Sequence, residues 1–208
     1  MRLALCVLGL LSLACGIPAV LQRLAEMDRK SSAEPPAFTT IPTAVTPTAM
    51  SGQLVRDVGH AYTITFPSAF PVATSETMNI PTAIGDVATT LYTACQEGGT
   101  CVMVNGATYP DVAFTGQDTQ TMLNGARDGA IANVGATKTS EAAVTVGGFP
   151  GLSFDAVATM SGITFYVRAL IVLRRPHLVM VQWLGTEPES RAAVDANAFF
   201  ASLLLDPT

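Results

Sequence analysis

The stretch ITFYVRALIVLRRPHLVMVQWL, residues 163–184, decides the fold of this chain. Over residues 163–173, apolar side chains recur at every second position, which is the period of a β-strand with one buried face. Arg175-Pro176-His177 interrupts the run, and residues 178–184 are typical of a second strand. Because the connection is so short, we expect the two strands to be antiparallel neighbours.

Further β-rich runs surround this hairpin and are separated by turn residues. They are residues 62–66, 72–79, 87–94, 101–104, 141–146 and 152–157. Gly98-Gly99, Gly147-Gly148 and Ser161-Gly162 are turn signals between neighbouring runs. Short turns favour antiparallel pairing, so the sequence predicts an antiparallel sheet of about six or seven strands.

Two helices are predicted beside these strands. Asp118 is a residue type that caps helix N-termini, and an apolar stripe at helical spacing follows it. That stripe consists of Leu123, Ala126, Ala130 and Val134. Thr186 and Glu189 fit a T-x-x-E capping box, which predicts a second helix at the C-terminus. The order of elements therefore indicates an α+β fold in which helices pack on an antiparallel sheet.

The N-terminus has the character of an export signal. Residues 3–14 (LALCVLGLLSLA) form an apolar run directly after Arg2, which matches the hydrophobic region of a secretory signal. Ala14, Cys15 and Gly16 resemble a lipobox, although Ser12 departs from its usual pattern. We expect lipid attachment at Cys15, with two alternatives. The apolar run could remain as an uncleaved anchor, or the chain could be cleaved after Ala14 and secreted.

The composition divides the chain into three parts. Residues 1–15 are a signal peptide or membrane anchor, and residues 16–52 are a juxtamembrane segment followed by a Pro/Thr-rich linker. Residues 53–208 form the α+β domain. The prolines of the linker block both helix and central strand, so we expect an extended, semi-stiff spacer. The predicted location is extracytoplasmic and membrane-anchored.

Cys95 and Cys101 flank the Gly98-Gly99 turn, and a hairpin there would bring them within disulfide range. A disulfide agrees with an oxidising compartment. Zinc pairs usually lie two to four residues apart and need two further ligands. His60 and His177 are not placed in the sequence as such further ligands, so the sequence predicts a disulfide and no metal site.

The charge of the chain limits its partners. Only 13% of residues are charged, and from Ser51 onward seven basic and thirteen acidic side chains give a net charge of −6. Nucleic-acid binding needs a clustered positive surface. Arg174-Arg175 is the only adjacent basic pair after Ser51, and we expect it to lie in a solvated turn. No nucleic-acid partner is therefore expected, which leaves the membrane, through the N-terminal lipid or helix, and a protein of the cell envelope.

No catalytic, cofactor-binding or metal-binding set of residues stands out. We expect His60, before the first strand, and His177, at a hairpin turn, to be surface or turn histidines. Residues 151–155 (GLSFD) lack the second glycine of a nucleophile elbow. The most prominent polar pair is Arg127 and Asp128, which serves either a ligand or a structural role. In the structural case, Arg127 would bind the carboxylate of Asp155 or Glu141.

Three short motifs resemble those of small bacterial exported domains with the PsbP-like fold. Residues 123–130 (LNGARDGA) resemble a recurring LDGARDG-like helix, and residues 147–151 (GGFPG) resemble the turn that follows it. Residues 198–205 (AFFASLLL) resemble the F-x-x-S-F-x-L ending, with Leu203 in place of the second aromatic. The resemblance covers residues 62–205. It implies an antiparallel sheet sandwiched by helices and implies no reaction.

Two functional hypotheses follow. The first is a membrane-tethered extracytoplasmic accessory or binding module without catalytic activity and without a cofactor. The alternative is an enzyme or small-ligand carrier whose site is assembled only in three dimensions. Fold alone does not decide between them.

Overall fold

The computed structural model describes residues 51–82, 85–97, 99–160 and 162–206. Within them lie ten strands, two α-helices and two short 3-10 turns. The strands are β1 Gly52–Asp57, β2 Tyr62–Pro67, β3 Thr74–Thr82, β4 Gly85–Cys95, β5 Cys101–Thr108, β6 Thr137–Val146, β7 Phe149–Met160, β8 Ile163–Arg174, β9 His177–Gly185 and β10 Leu204–Leu205. The helices are α1 Thr119–Asn133 and α2 Val194–Ala201, and the 3-10 turns are Asp111–Phe114 and Pro188–Ala192.

Seven strands form one large antiparallel sheet in the order β3-β4-β5-β9-β8-β7-β6. The predicted fold class is thereby confirmed. The hairpin from which the prediction started lies near the middle of this sheet, with Leu173 opposite Leu178. Strand β5 lies beside β9, with Val104 opposite Val181, although more than seventy residues separate them. This pairing joins the two hairpin systems into one sheet.

The central strands of the large sheet bury side chains on both faces. Along β9, Leu178, Met180 and Leu184 belong to the core on the α1 side. Val179, Val181 and Trp183 belong to the core on the opposite side. A strand that is covered on both faces has an almost continuous apolar sequence, which explains the composition of residues 163–184.

A second sheet of three strands, in the order β1-β2-β10, covers the face opposite α1. We call it the small sheet. The β2 strand was expected from its alternating sequence, and its inward residues Tyr62, Ile64 and Phe66 are buried. It pairs with β1 and β10, however, and does not join the large sheet. The expectation of one sheet was therefore incomplete: β1 was not predicted as a strand, and β10 has only 2 residues and pairs with β2 from a distant part of the chain.

Helix α1 begins where the sequence predicts. The Asp118 carboxylate accepts a hydrogen bond from the Thr121 backbone N–H at 2.6 Å, which satisfies one of the free N–H groups of the first turn. Gly125 and Gly129 are buried, and α1 packs against β7 and β8. Gly135, two residues past the helix, has a φ of +59°, a conformation that glycine adopts without steric cost.

The capping box predicted at Thr186 and Glu189 is wrong. Glu187 precedes a 3-10 turn that packs on β8 and β9, and α2 begins only at Val194, after the extended residue Ala193. The turn approaches β9 so closely that a side chain on Gly185 would collide with Ser190. Packing on the sheet therefore overrides the local helix signal.

Helix α2 attaches to the small sheet through aromatic contacts. Phe199 is fully buried, and its ring meets that of Phe66 edge to face at 5.3 Å. Burial of such a side chain contributes about 1.5–3 kcal/mol, and an aromatic pair adds about 0.5–1.5 kcal/mol.

In the described part of the chain, neither α1 nor α2 combines the length and the apolar character that crossing a bilayer requires.

Candidate functional site

A buried polar cluster lies where the small sheet meets the large sheet. Along β1, Val55 and Asp57 both point inward because side chains alternate between the faces of a strand. Asp57 is therefore carried into the interior, where only 6% of it is exposed. His60 follows in the turn to β2 and is 5% exposed. His60 therefore lies in a turn, as one of the two expected alternatives states, but it is buried and is not a surface residue.

His60 makes three hydrogen bonds. Its Nδ1 lies 2.9 Å from Asp57 Oδ2, and its backbone N–H donates to Asp57 Oδ1 at 3.1 Å. Its Nε2 lies 3.2 Å from the carbonyl oxygen of Ala88 on β4. The side chain thus connects the small sheet to the large one.

Gly106 on β5 makes room for the imidazole ring. A Cβ atom at this position would lie 2.5 Å from His60 Cγ and 2.7 Å from His60 Cβ. A glycine inside a strand often marks the close approach of another group. That rule is the signal in the sequence that could have indicated a contact here, although it does not identify His60 as the neighbour.

The second histidine lies beside the first. The rings of His60 and His177 are 6.2 Å apart and nearly perpendicular. His177 Nδ1 lies 2.9 Å from the hydroxyl of Thr108, its partner across β5 and β9. The fold therefore brings together two histidines that are far apart in sequence.

The cluster changes the pKa of each titratable member. Burial alone would lower the pKa of His60, but the hydrogen bond and charge of Asp57 outweigh it and raise that pKa above 6.5. Burial would raise the pKa of Asp57, but His60 lowers it below 3.8. The pKa of His177 is lowered by burial, and then by the positive charges of His60 and Arg174.

This geometry does not suit acid–base catalysis by His60. A catalytic base needs one ring nitrogen within reach of a substrate proton. Here Nδ1 faces Asp57 and Nε2 faces Ala88, so both nitrogens are already engaged. The described residues also contain no group of three or more His, Cys, Asp or Glu side chains that could hold a metal ion.

The polar pair Arg127 and Asp128 belongs to a separate network beside α1. The guanidinium contacts Asp128 Oδ1 at 2.8 Å and Asn124 Oδ1 at 3.2 Å, and it also pairs with Glu141 on β6. Lys138 reaches the same Glu141 carboxylate at 2.8 Å. These two cations lower the pKa of Glu141 against the opposing effect of burial.

Of the two acidic partners considered for Arg127, Glu141 is the one in contact. Asp155 pairs instead with Arg168 at 3.3 Å and accepts a hydrogen bond from Ser140 at 2.8 Å. The arrangement gives Arg127 a structural partner between α1 and β6. A ligand role for Arg127 and Asp128 stays a prediction.

Cys95 and Cys101 form a disulfide that closes the β4–β5 hairpin, with their Cα atoms 4.1 Å apart. The two cysteines are also opposite each other in the strand register. Cys15, residues 1–15 and the linker up to residue 50 lie outside the described residues. The first strand begins at Gly52, one residue before the predicted start of the domain.

The expectation of a solvated Arg174-Arg175 turn is wrong for Arg174. Arg174 is 8% exposed, and its guanidinium lies 5.7 Å from the centre of the Phe149 ring. Arg175 lies over the Phe114 ring at 5.0 Å and donates a hydrogen bond to the Gln117 carbonyl. Both arginines therefore hold neighbouring segments together.

No protein-family model matches the chain, and no curated protein matches it. Similar solved structures include the cyanobacterial PsbP (CyanoP) of Synechocystis sp. PCC 6803, with 13% identity over 74% of this chain and 91% of that chain, at a TM-score of 0.47. Another is LpqN of Mycobacterium tuberculosis, a protein involved in cell envelope biogenesis. It is 16% identical over 82% of this chain and 99% of its own, at a TM-score of 0.45.

A third similar structure is PA94 of Pseudomonas aeruginosa, 14% identical over 75% of this chain and 98% of its own, at a TM-score of 0.38. The PsbP-like fold expected from the sequence is represented among these structures. A likeness at these identities and TM-scores concerns the fold alone, so no function is taken from it.

The Gly106→Ala substitution should destabilise the protein by about 1–3 kcal/mol, because the added methyl group would displace the His60 ring. Denaturant unfolding measures this loss. Gly59→Ala is the matched control, because a Cβ there meets only Asp57 Oδ1 at an ordinary 3.4 Å, and its effect should stay within about 0.5 kcal/mol. Equal stabilities for wild type and Gly106→Ala would contradict the close contact.

Proposed function

We propose that this chain is an exported, membrane-tethered binding module that works through contact with an envelope protein and has no catalytic activity. The tether would be the lipid on Cys15 or the uncleaved N-terminal helix. The described domain would provide the contact surface. The proposal is built from the exposed leucines of this domain, from its internal hydrogen bonds and ion pairs, and from the predicted export signal.

The observation that carries the proposal is a pair of exposed leucines on the outward side of the small sheet. Leu54 is 67% exposed and Leu204 is 63% exposed. Leu54 is opposite Thr65, and Leu204 is opposite Thr63, so the two leucines flank the outward threonines of β2. We call Leu54, Arg56, Thr63, Thr65 and Leu204 the outer face. The solvated face of an antiparallel sheet is usually polar, and exposed apolar groups on it favour a binding surface.

The order of segments along the chain supports the same assignment. The predicted linker ends where β1 begins, so the tether would join the domain at the small sheet. The ion pair between Asp206 and Arg56, which is itself part of this face, has a length of 3.6 Å and leaves both leucines exposed. A partner anchored in the same membrane would therefore meet this part of the domain.

The internal chemistry also supports a module without catalysis. The ring nitrogens of His60 are engaged, and Arg127 is paired with Glu141. The disulfide between Cys95 and Cys101 supports an oxidising, extracytoplasmic compartment. The polar groups that the sequence offers for chemistry thus serve the packing of the domain.

Lipid attachment at Cys15 can be tested by metabolic labelling with a palmitate analogue. The wild-type chain should be labelled, and the Cys15→Ser variant should not, because the thiol is the acceptor atom. Cys6→Ser is the matched control and should retain the label. Equal labelling of wild type and Cys15→Ser would refute the lipoprotein form of the tether. Export itself would be refuted if cell fractionation found the full-length, unprocessed chain free in the cytosol.

Partner contact through the outer face can be tested with a photo-crosslinking amino acid in intact cells. Replacement of Leu54 by p-benzoylphenylalanine should give a discrete adduct with an envelope protein, because this residue would lie at the interface. Ile163 is the matched control, since it is an exposed apolar residue, 47% accessible, at the start of β8. Identical adducts from both positions, or none from Leu54, would contradict the proposal.

A small-ligand carrier is the second candidate, and two buried amides favour it. Asn105 on β5 and Gln182 on β9 lie on the α1 side of adjacent strands. In the strand register, the pair Val104 and Val181 lies between them. Asn105 Oδ1 and Gln182 Nε2 are buried without a hydrogen-bond partner in the part of the chain that the structure describes. An unsatisfied buried polar atom costs about 1–3 kcal/mol, which a water molecule or a ligand hydroxyl between the amides would offset.

Octyl glucoside, a neutral amphiphile with hydroxyl groups, is a suitable probe because Met103 and Met180 flank these amides. For a carrier, calorimetric titration below the micelle threshold should show binding that Gln182→Met weakens, because the Nε2 donor is lost. The exposed Gln117→Met is the matched control and should bind as the wild type does. The absence of binding to the wild-type chain would exclude this candidate for neutral amphiphiles.

A further inference from the structure

His60 is a direct polar link between the two sheets. Its backbone and Nδ1 bind Asp57 at the end of β1, its Nε2 binds Ala88 on β4, and its ring lies against Gly106 of β5. The side chains of His60 and Asp57 are only 6% and 7% exposed. Water therefore has little access to replace either hydrogen bond when it breaks.

The hydrogen-bond partners of His60 determine its protonation state. A carboxylate and a backbone carbonyl are both acceptors, so each ring nitrogen must donate a proton to its partner. A neutral imidazole carries only one N–H, whereas the imidazolium carries two. Because the lowered pKa of Asp57 keeps its carboxylate ionised, both bonds are made at once only when the ring is charged.

We infer that His60 is a proton-operated latch between the small sheet and the large sheet. The charged ring holds the β1–β2 turn against β4 and β5. When the ring loses its proton, either the bond to Asp57 or the bond to Ala88 is lost, and the turn loosens. The buried carboxylate of Asp57 then also lacks its countercharge, which adds to the cost of keeping the turn in place.

The ionisable groups beside the latch are two tyrosines, one histidine and one arginine. Tyr62 on β2 and Tyr92 on β4 have raised pKa values, because of burial and then the charge of Asp57, and stay neutral. No hydrogen bond of standard geometry joins the buried Tyr62 hydroxyl to a described residue. Arg174 and His177 lie on β8 and β9, and the lowered pKa of His177 makes it neutral at neutral pH.

The direction of the pH effect follows from the two pKa shifts. The contribution of His60 is complete below its unfolded pKa of 6.5 and is lost as the pH rises through its raised folded pKa. The contribution of Asp57 is complete above its unfolded pKa of 3.8 and is lost as the pH falls through its lowered folded pKa. The latch is therefore closed at pH values between the two unfolded pKa values, 3.8 and 6.5, and it opens as the pH rises through the folded pKa of His60.

The latch would also control the proposed binding surface. Strand β1 carries both Asp57 and Leu54, so a loosened turn would disturb the outer face. This consequence rests on the proposed function, whereas the latch itself does not. Binding to the envelope partner should accordingly weaken as the pH rises above neutrality.

The full-length chain tests the latch without any substitution. Nitrogen chemical shifts of the His60 ring should show two protonated nitrogens at about pH 5.5 and a titration midpoint above that of a free histidine. Amide hydrogen exchange in the β1–β2 turn, corrected for the intrinsic pH dependence, should be faster at about pH 9 than at about pH 5.5. A neutral His60 ring at the lower pH, or equal corrected exchange, would overturn the inference.

Two variants separate the latch from a general effect of pH. His60→Gln should abolish the difference in turn exchange between the two pH values, because glutamine does not titrate. His177→Gln is the matched control, since it removes the neighbouring ring and leaves both bonds of His60, and it should keep the wild-type difference. An unchanged difference in His60→Gln would assign the effect to another group.

Crosslinking from Leu54 at the two pH values distinguishes a failed latch from a failed binding proposal. A pH-dependent turn exchange without any adduct would leave the latch in place and refute partner binding. An adduct whose yield is the same at both pH values would refute control of the outer face by the latch. If the wild-type adduct is lost at high pH while the adduct yield of His60→Gln is the same at both pH values, the result would support both the latch and partner binding.

Discussion

Strands β8 and β9 carry apolar side chains on both faces, and the rest of the structure depends on covering both. Helix α1 covers one face, where the buried Gly125 and Gly129 let it approach β7 and β8 closely. The small sheet and α2 cover the other face through Phe66, Phe199 and Trp183. Without these layers, the central strands would expose a continuous apolar surface to water, which is unfavourable in proportion to its area.

The layers meet through polar contacts as well as apolar ones. On one side of the large sheet, Arg127 joins α1 to Glu141 on β6. On the other side, Asp57 and His60 join the small sheet to β4. Hydrogen bonds and ion pairs require particular distances and directions, whereas apolar contacts do not, so these contacts help to fix how each layer sits. The same contacts make the position of the small sheet sensitive to the charge of a single imidazole.

Most of the side chains that the sequence offers as candidates for catalysis or ligand binding form contacts within the domain. His60, Arg127 and Arg174 each contact neighbouring segments, and the cysteines of the β4–β5 hairpin are joined to each other. The outer face of the small sheet exposes two leucines, Leu54 and Leu204, beside Arg56 and the threonines of β2. The proposed contact role is built on this distribution, and the solved structures of similar fold leave the choice between contact and catalysis open.

The sequence alone determined the features that depend on neighbouring residues. Alternation and turn residues predicted the strands of the large sheet, Asp118 predicted the start of α1, and the spacing across a tight hairpin predicted the disulfide between Cys95 and Cys101. The tertiary structure decided what depends on distant pairing: β5 beside β9, the separate small sheet, and the burial of His60 against Gly106. The physical reason is that strand period and capping are local, within a few residues, whereas sheet order and the surroundings of a side chain come from segments that meet only when the whole core is packed.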